Sequence, residues 1–205
     1  MRLPSINLDR SALADFERVV KKEWLVTNGL GGYASSTVIG LNTRKYHGLL
    51  VAAIHPPQDR RVFLEKLDED LVSGGKTYRF GVNEFADTFF PRGHEFLEQC
   101  LIRPFPTYTY TADKITVRKT IFMAYQKNCT IAFYNVSNRT RNDIKMRVFP
   151  LVNWRNFHSV TRRSQVSSLE QKHQADAVKL SIREPKATLL LRSTEGKYNL
   201  TDTWT

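Results

Sequence analysis

Residues 23–50 read EWLVTNGLGGYASSTVIGLNTRKYHGLL, and two very different folds compete for this stretch. Gly29-Leu30-Gly31-Gly32-Tyr33-Ala34 matches G-x-G-x-x-A, the fingerprint of a dinucleotide-binding α/β unit, in which a helix begins at the glycines and offers its amides to a pyrophosphate. The residues that follow are Ser35-Ser36-Thr37-Val38-Ile39-Gly40, a β-branched run that ends in glycine and suits a strand better than a helix. About twenty positions on, where an acidic residue would hold a ribose, the chain reads Gly-Leu-Leu-Val-Ala-Ala-Ile. A phosphate-cradling P-loop fails too, because no Gly-Lys-Ser/Thr follows. The glycines therefore predict a tight turn that needs positive φ.

Outward from that turn the periodicity is that of strands. Residues 47–54, HGLLVAAI, are apolar throughout and predict a buried strand, and 61–67, RVFLEKL, follow a Pro56-Pro57 break. Ser73-Gly74-Gly75-Lys76 is a hairpin signal. In 114–125, Ile115, Val117, Ile121 and Met123 share one face. In 143–149, Ile144, Met146 and Val148 oppose Lys145 and Arg147, and 177–183 alternates through Val178, Leu180 and Ile182. Period two with one polar face marks antiparallel strands. Residues 11–21, SALADFERVVK, suit one short helix capped by Ser11, and the polar 155–175 segment predicts a long loop. About a dozen short strands exceed one small sheet. The expected fold class is thus all-β, mainly: a large antiparallel β-sandwich of two packed sheets with one short N-terminal helix. Residues 1–205 are expected to form this single domain. The ending TDTWT reads as a cut in a longer polypeptide.

The chain carries 31 Lys and Arg against 20 Asp and Glu, a net charge of +11. Its basic residues occur one or two at a time, which predicts a solvated surface and no nucleic-acid partner. Two cysteines without a CxxC, and histidines without HxH or HExxH, give no metal site. No apolar stretch of about 18 residues offers a membrane span, and the N-terminus lacks the apolar core of a secretion signal. The expected compartment is the cytoplasm.

Polar chemistry concentrates at two places. Asn42-Thr43-Arg44-Lys45-Tyr46-His47-Gly48 brings amide, guanidinium, phenol and imidazole to the start of a buried strand. Trp154-Arg155-Asn156-Phe157-His158 repeats the mixture further along the chain. Arginine forks suit paired hydroxyls or a carboxylate, and Tyr46, Trp154 and Phe157 offer flat faces to a sugar ring, or simply pack in a core. Glycoside hydrolysis needs two carboxyl groups roughly 5 to 9.5 Å apart across the bond. The acidic cluster Glu65, Asp68, Glu69, Asp70 splays over both faces of a strand entering a turn and is expected to be solvated. A Ser35, His47, Asp68 triad lacks a nucleophile elbow.

The run EWLVTNGLGGYASSTVIGLNTRKYHGLLVAA, with RRVFLEKLDE, PFPTYTY, KTIFMAY and PLVNWRNFH further on, resembles the N-terminal domain of glycogen debranching enzymes of the bacterial and archaeal type, the amylo-α-1,6-glucosidase family. The resemblance covers roughly residues 20–200. It implies a β-sandwich that packs on a separate catalytic helical toroid, which carries the acid and base and hydrolyses α-1,6 branch linkages without metal or organic cofactor. It further implies that Asn28, Arg44, Tyr46, His47, Arg155 and His158 face that catalytic domain of the same polypeptide and its α-glucan, glycogen. One departure stands at Asn156, where the family tends to place aspartate; charge is lost there but hydrogen bonding survives. A free-standing carbohydrate-binding module and, less readily, a basic nucleic-acid binder remain the alternative classes.

Overall fold

The structure is a computed structural model and describes residues 5–86, 88–162, 170–174, 176–182 and 187–199. The chain divides into two compact units, Met1–Val160 and Thr161–Thr205.

In the first unit two antiparallel sheets form the layers of a sandwich. One runs in the order β1 (Ile6–Asp9), β9 (Leu97–Ile102), β10 (Pro106–Ala112), β11 (Ile115–Met123), β12 (Thr130–Asn138). The other runs β13 (Ile144–Asn156), β5 (Gln58–Ser73), β4 (Gly48–His55), β3 (Tyr33–Thr37), β2 (Glu23–Thr27). A short β6 (Lys76–Arg79) pairs with the second half of β5 through the register Ser73↔Lys76. The expected hairpin lies there, with Gly74 and Gly75 at φ 54° and 76°. Two positive φ values in a two-residue loop match the twist of the strands they join, and glycine adopts them without steric cost. A ribbon of β7 (Val82–Phe85) and β8 (Thr88–Arg92) completes the unit.

Alternation drives this arrangement. Along β10 and β11 every second residue is buried, so Tyr108, Tyr110, Val117 and Ile121 meet Trp24, Val26 and Ala34 of the other sheet in the core. A large apolar side chain such as Val117 or Ile121 contributes about 1.5–3 kcal/mol on burial. The Tyr108 hydroxyl donates to the Thr37 carbonyl at 2.8 Å and accepts from Trp24 Nε1, which joins the two sheets by polar contacts inside an apolar layer.

The N-terminal helix is two helical turns, α1 (Arg10–Leu13) and α2 (Phe16–Val19). Asp9 caps the first, accepting from Ala12 N at 3.0 Å, and Asp15 caps the second, accepting from Arg18 N at 3.1 Å. Ser11 is not the cap; its hydroxyl donates to Asp9. Asp15 interrupts the helix because its short carboxylate serves the next turn's amides from an extended backbone.

The acidic cluster is not solvated either. It lies on β5, which runs unbroken from Gln58 to Ser73, so all four carboxylates sit within the strand and none in the turn that follows. Glu69 is 3 % exposed, 2.6 Å from Lys119 Nζ, and accepts from the Tyr134 hydroxyl at 2.6 Å. Asp68 lies 2.8 Å from Lys66 Nζ and accepts from Asn83. Lysines from the same and the facing strand neutralise carboxylates that water would otherwise hold.

In the second unit, β14 (Glu170–Gln174), β15 (Ala177–Ile182) and β16 (Ala187–Arg192) form an antiparallel meander. Of the loop expected over 155–175, β13 takes the first two positions and β14 takes 170–174, while 163–169 and 175 lie outside the described residues.

Candidate functional site

Burial along β2 alternates, with Trp24 and Val26 inside and Glu23, Leu25 and Thr27 outside. Tyr33 pairs opposite Thr27, so it shares that outer face. The loop Leu41–His47 is held against the sheet by its own side chains. Asn42 accepts from Ser36 Oγ at 2.8 Å and donates to the Glu65 carbonyl at 2.9 Å, while Thr37 Oγ1 bonds both the carbonyl and the amide of Leu41. The Tyr33 hydroxyl donates to the Tyr46 carbonyl at 2.8 Å.

Within this loop the polar residues differ in kind. Arg44 is exposed and meets Glu23 at 2.5 Å. His47 is 2 % exposed. Its Nδ1 accepts from the Thr43 amide at 3.1 Å, which places the ring proton on Nε2. Nε2 lies 3.4 Å from Glu23 Oε1, without the alignment of a hydrogen bond. Burial pushes the imidazole below its ordinary value, against the opposing pull of Glu23. The ring is enclosed and held by the loop backbone, and neither Ser35 nor Asp68 hydrogen-bonds to it.

The second polar stretch arrives at the end of β13. Arg155, 8 % exposed, grips Glu65 with two bonds, Nε to Oε1 at 2.9 Å and Nη2 to Oε2 at 3.2 Å, and sends Nη1 to the Ser159 carbonyl at 2.9 Å. Asn153 adds a third bond to Glu65. Beyond it Asn156 Oδ1 accepts from the His158 amide at 2.9 Å, and its carbonyl accepts from Ser159. The amide oxygen performs the hydrogen bonding open to a carboxylate there, without the charge.

These turns bring Phe157 and His158 to Tyr46. Ring centroids lie 5.5 Å apart for Tyr46–Phe157 and 5.7 Å for Tyr46–His158, and the Tyr46 hydroxyl is 3.3 Å from His158 Nδ1. Cations flank the aromatic group: Lys45 stands 5.2 Å from the Tyr46 ring and Arg60 5.6 Å from Phe157. Trp154 is engaged elsewhere, between Phe63 and Arg61. Asn28 does not share this surface. It is fully enclosed, its Oδ1 accepting from the Leu30 and Gly32 amides at 2.9 and 3.0 Å, so it closes the glycine turn from within.

A family model described as "Glycogen debranching enzyme N terminal" matches residues 22–205. The chain belongs to that family. Neither a curated protein nor a solved structure matches it. For this debranching-enzyme N-terminal domain the expected residues thus separate: Tyr46 and His158 meet at the surface, Arg44 is exposed on Glu23, Arg155 and His47 are buried, and Asn28 closes the glycine turn. Glu23 and Arg60 were missed, though a glutamate on the outward register of β2 opposite a loop arginine was the readable signal; Glu65, expected to be solvated, is instead bound by Arg155. Among the described residues no three His, Cys, Asp or Glu side chains gather to hold a metal, and no helix is long and apolar enough to cross a membrane.

Proposed function

We propose that the chain is the accessory domain of a glycogen debranching enzyme, supporting a catalytic domain of the same polypeptide and lining part of its α-glucan cleft. The observation that carries this reading is the Tyr46–Phe157–His158 group, an aromatic surface with Lys45 and Arg60 against its rings. Flat rings match the apolar faces of pyranoses, and cationic forks match their hydroxyls. The nearby carboxylates fit no acid/base pair: Glu65 is held by Arg155 and Glu23 by Arg44. Hydrolysis of the α-1,6 linkage falls to the partner domain, and this surface orients the glucan for it.

Electrophoresis of the chain through gels containing glycogen tests the reading. Migration should slow relative to a glycogen-free gel, and Tyr46→Ala should restore it. Equal migration in both gels at high glycogen content would remove the glucan-facing role.

A further inference from the structure

Tyr125 lies in the turn between β11 and β12 and is 76 % exposed. Exposure of a single ring is ordinary, but the backbone that carries this one is held in place. Its turn closes with Ala124 N donating to the Cys129 carbonyl at 3.0 Å and Lys127 N to the Ala124 carbonyl at 3.3 Å. Asn28 then ties it down: its carbonyl accepts from Gln126 N at 2.7 Å, and its Nδ2 donates to the Lys127 carbonyl and to Asn128 Oδ1, each at 3.0 Å. Asn128 in turn donates to the Ala53 carbonyl. Gln126 is held at φ 55°, a left-handed conformation that a non-glycine residue keeps only when its surroundings impose it.

The ring has a seat. A Cβ added to Gly29 would stand 2.7 Å from Tyr125 Cε2 and 3.2 Å from Cδ2, so the tyrosine rests directly on the glycine backbone. One side is supported and the rest is open to solvent. Its neighbours along the turn, Gln126, Lys127 and Asn128, are exposed and polar. Protein interfaces enrich tyrosine too, but they set it among apolar residues and deplete lysine; the polar neighbours here suit a sugar, which presents an apolar C–H face inside a rim of hydroxyls.

The same glycine turn links this ring to the aromatic group described above. Gly31 O accepts from Arg60 Nε at 2.6 Å, and Arg60 stacks on Phe157. Gly29 and Gly31 are two peptide units apart, at most about 7 Å. We propose that Tyr125 is a second stacking station for the α-glucan, across the Gly29–Gly32 turn from Tyr46 and Phe157. This rests on the glucan-facing reading of the Tyr46 surface. The turn then has two functions: Gly29 seats one ring, and Gly31 anchors the arginine that supports the other.

Titration of the ¹⁵N-labelled chain with maltoheptaose, followed by amide shifts, decides the matter. Shifts are expected at residues 29–31 and 125–127 as well as at 45–47 and 157–158. Tyr125→Ala should weaken binding about three- to tenfold, in line with the strength of ring contacts, while Tyr125→Phe keeps wild-type affinity. Both variants change an exposed side chain, and an otherwise unaltered spectrum verifies their fold. Shifts confined to 45–47 and 157–158, with unchanged affinity in Tyr125→Ala, overturn the second station and leave the glucan reading intact. No shift at any amide overturns both. If Tyr125→Ala loses affinity for the purified catalytic domain while sugar binding is unchanged, the ring is a protein contact and the proposal fails.

Discussion

Arg155 and Glu65, ninety positions apart in the chain, meet as a two-bond fork across neighbouring strands β13 and β5, and Asn153 shares the same carboxylate. The arginine is nearly buried and the glutamate 22 % exposed. Removing one partner leaves the other charged and partly desolvated. Arg155→Ala should destabilise the unit by about 2–4 kcal/mol, and Arg155→Lys should recover little of that because an ammonium cannot reproduce the fork. Urea unfolding followed by circular dichroism measures it. A Lys variant equal to wild type would mean that charge alone, not geometry, holds the turn.

Arg44 and His47 sit three residues apart and should behave oppositely. Arg44 and Glu23 form an exposed pair, with side chains 61 % and 31 % accessible, so Arg44→Ala should change stability by no more than about 0.5 kcal/mol. His47 is enclosed and accepts the Thr43 amide. His47→Ala should cost about 1–3 kcal/mol, from a buried donor left unmet and a cavity. Thermal melts of the two variants side by side check the contrast; a reversed order would place His47 on the surface.

Acid should weaken the fold through the same imidazole. Burial holds His47 and His94 below the ordinary histidine value of 6.5, so the folded chain keeps them neutral where the unfolded chain binds protons. The unfolded state therefore gains protons first as pH falls below about 6.5, and stability declines until the folded pKa values are reached. Unfolding free energies measured between pH 7.5 and about 5 should fall with acidification, and His47→Gln should flatten that slope. An unchanged slope in the variant would assign the decline to other groups.

Glu69 and Lys119 join the two sheets at 2.6 Å, both nearly buried. Lys119→Met alone should destabilise by about 3–5 kcal/mol, since it strands the carboxylate. Lys119→Met combined with Glu69→Leu should restore most of the loss, because an apolar pair avoids the desolvation of both charges. Denaturant midpoints for the two single variants and the double variant form the cycle, and additive losses would count against a buried pair.

Much of the fold was legible because strand alternation is a local property. Ile115, Val117, Ile121 and Met123 are buried where period two puts them, and Gly74-Gly75 makes the hairpin its composition announces. Charge pairing was not legible. Glu69 meets Lys119 across the sandwich and Glu65 meets Arg155 along it, and neither contact follows from spacing in one strand. The acidic cluster looked solvated because its counter-charges lie mostly on other strands. Asn28 misled for a related reason: an asparagine beside glycines can face outward or close the turn from within, and only its partners at Leu30, Gly32 and Lys127 decide.

The separation along the chain between Tyr46 and His158, 112 positions, sets the order in which the molecule can be completed during synthesis. The hairpins β2–β3 and β5–β6 involve near neighbours and can close while the ribosome is still translating the middle of the chain. The aromatic surface cannot. Until β13 has emerged, β5 has an unpaired edge over Arg61–Ser73, and Glu65 lacks its arginine. A chain arrested before β13 would present a long open strand edge to its neighbours, the feature most prone to self-association. Truncations ending before residue 144 are therefore the forms of this protein in which cells should need chaperones most.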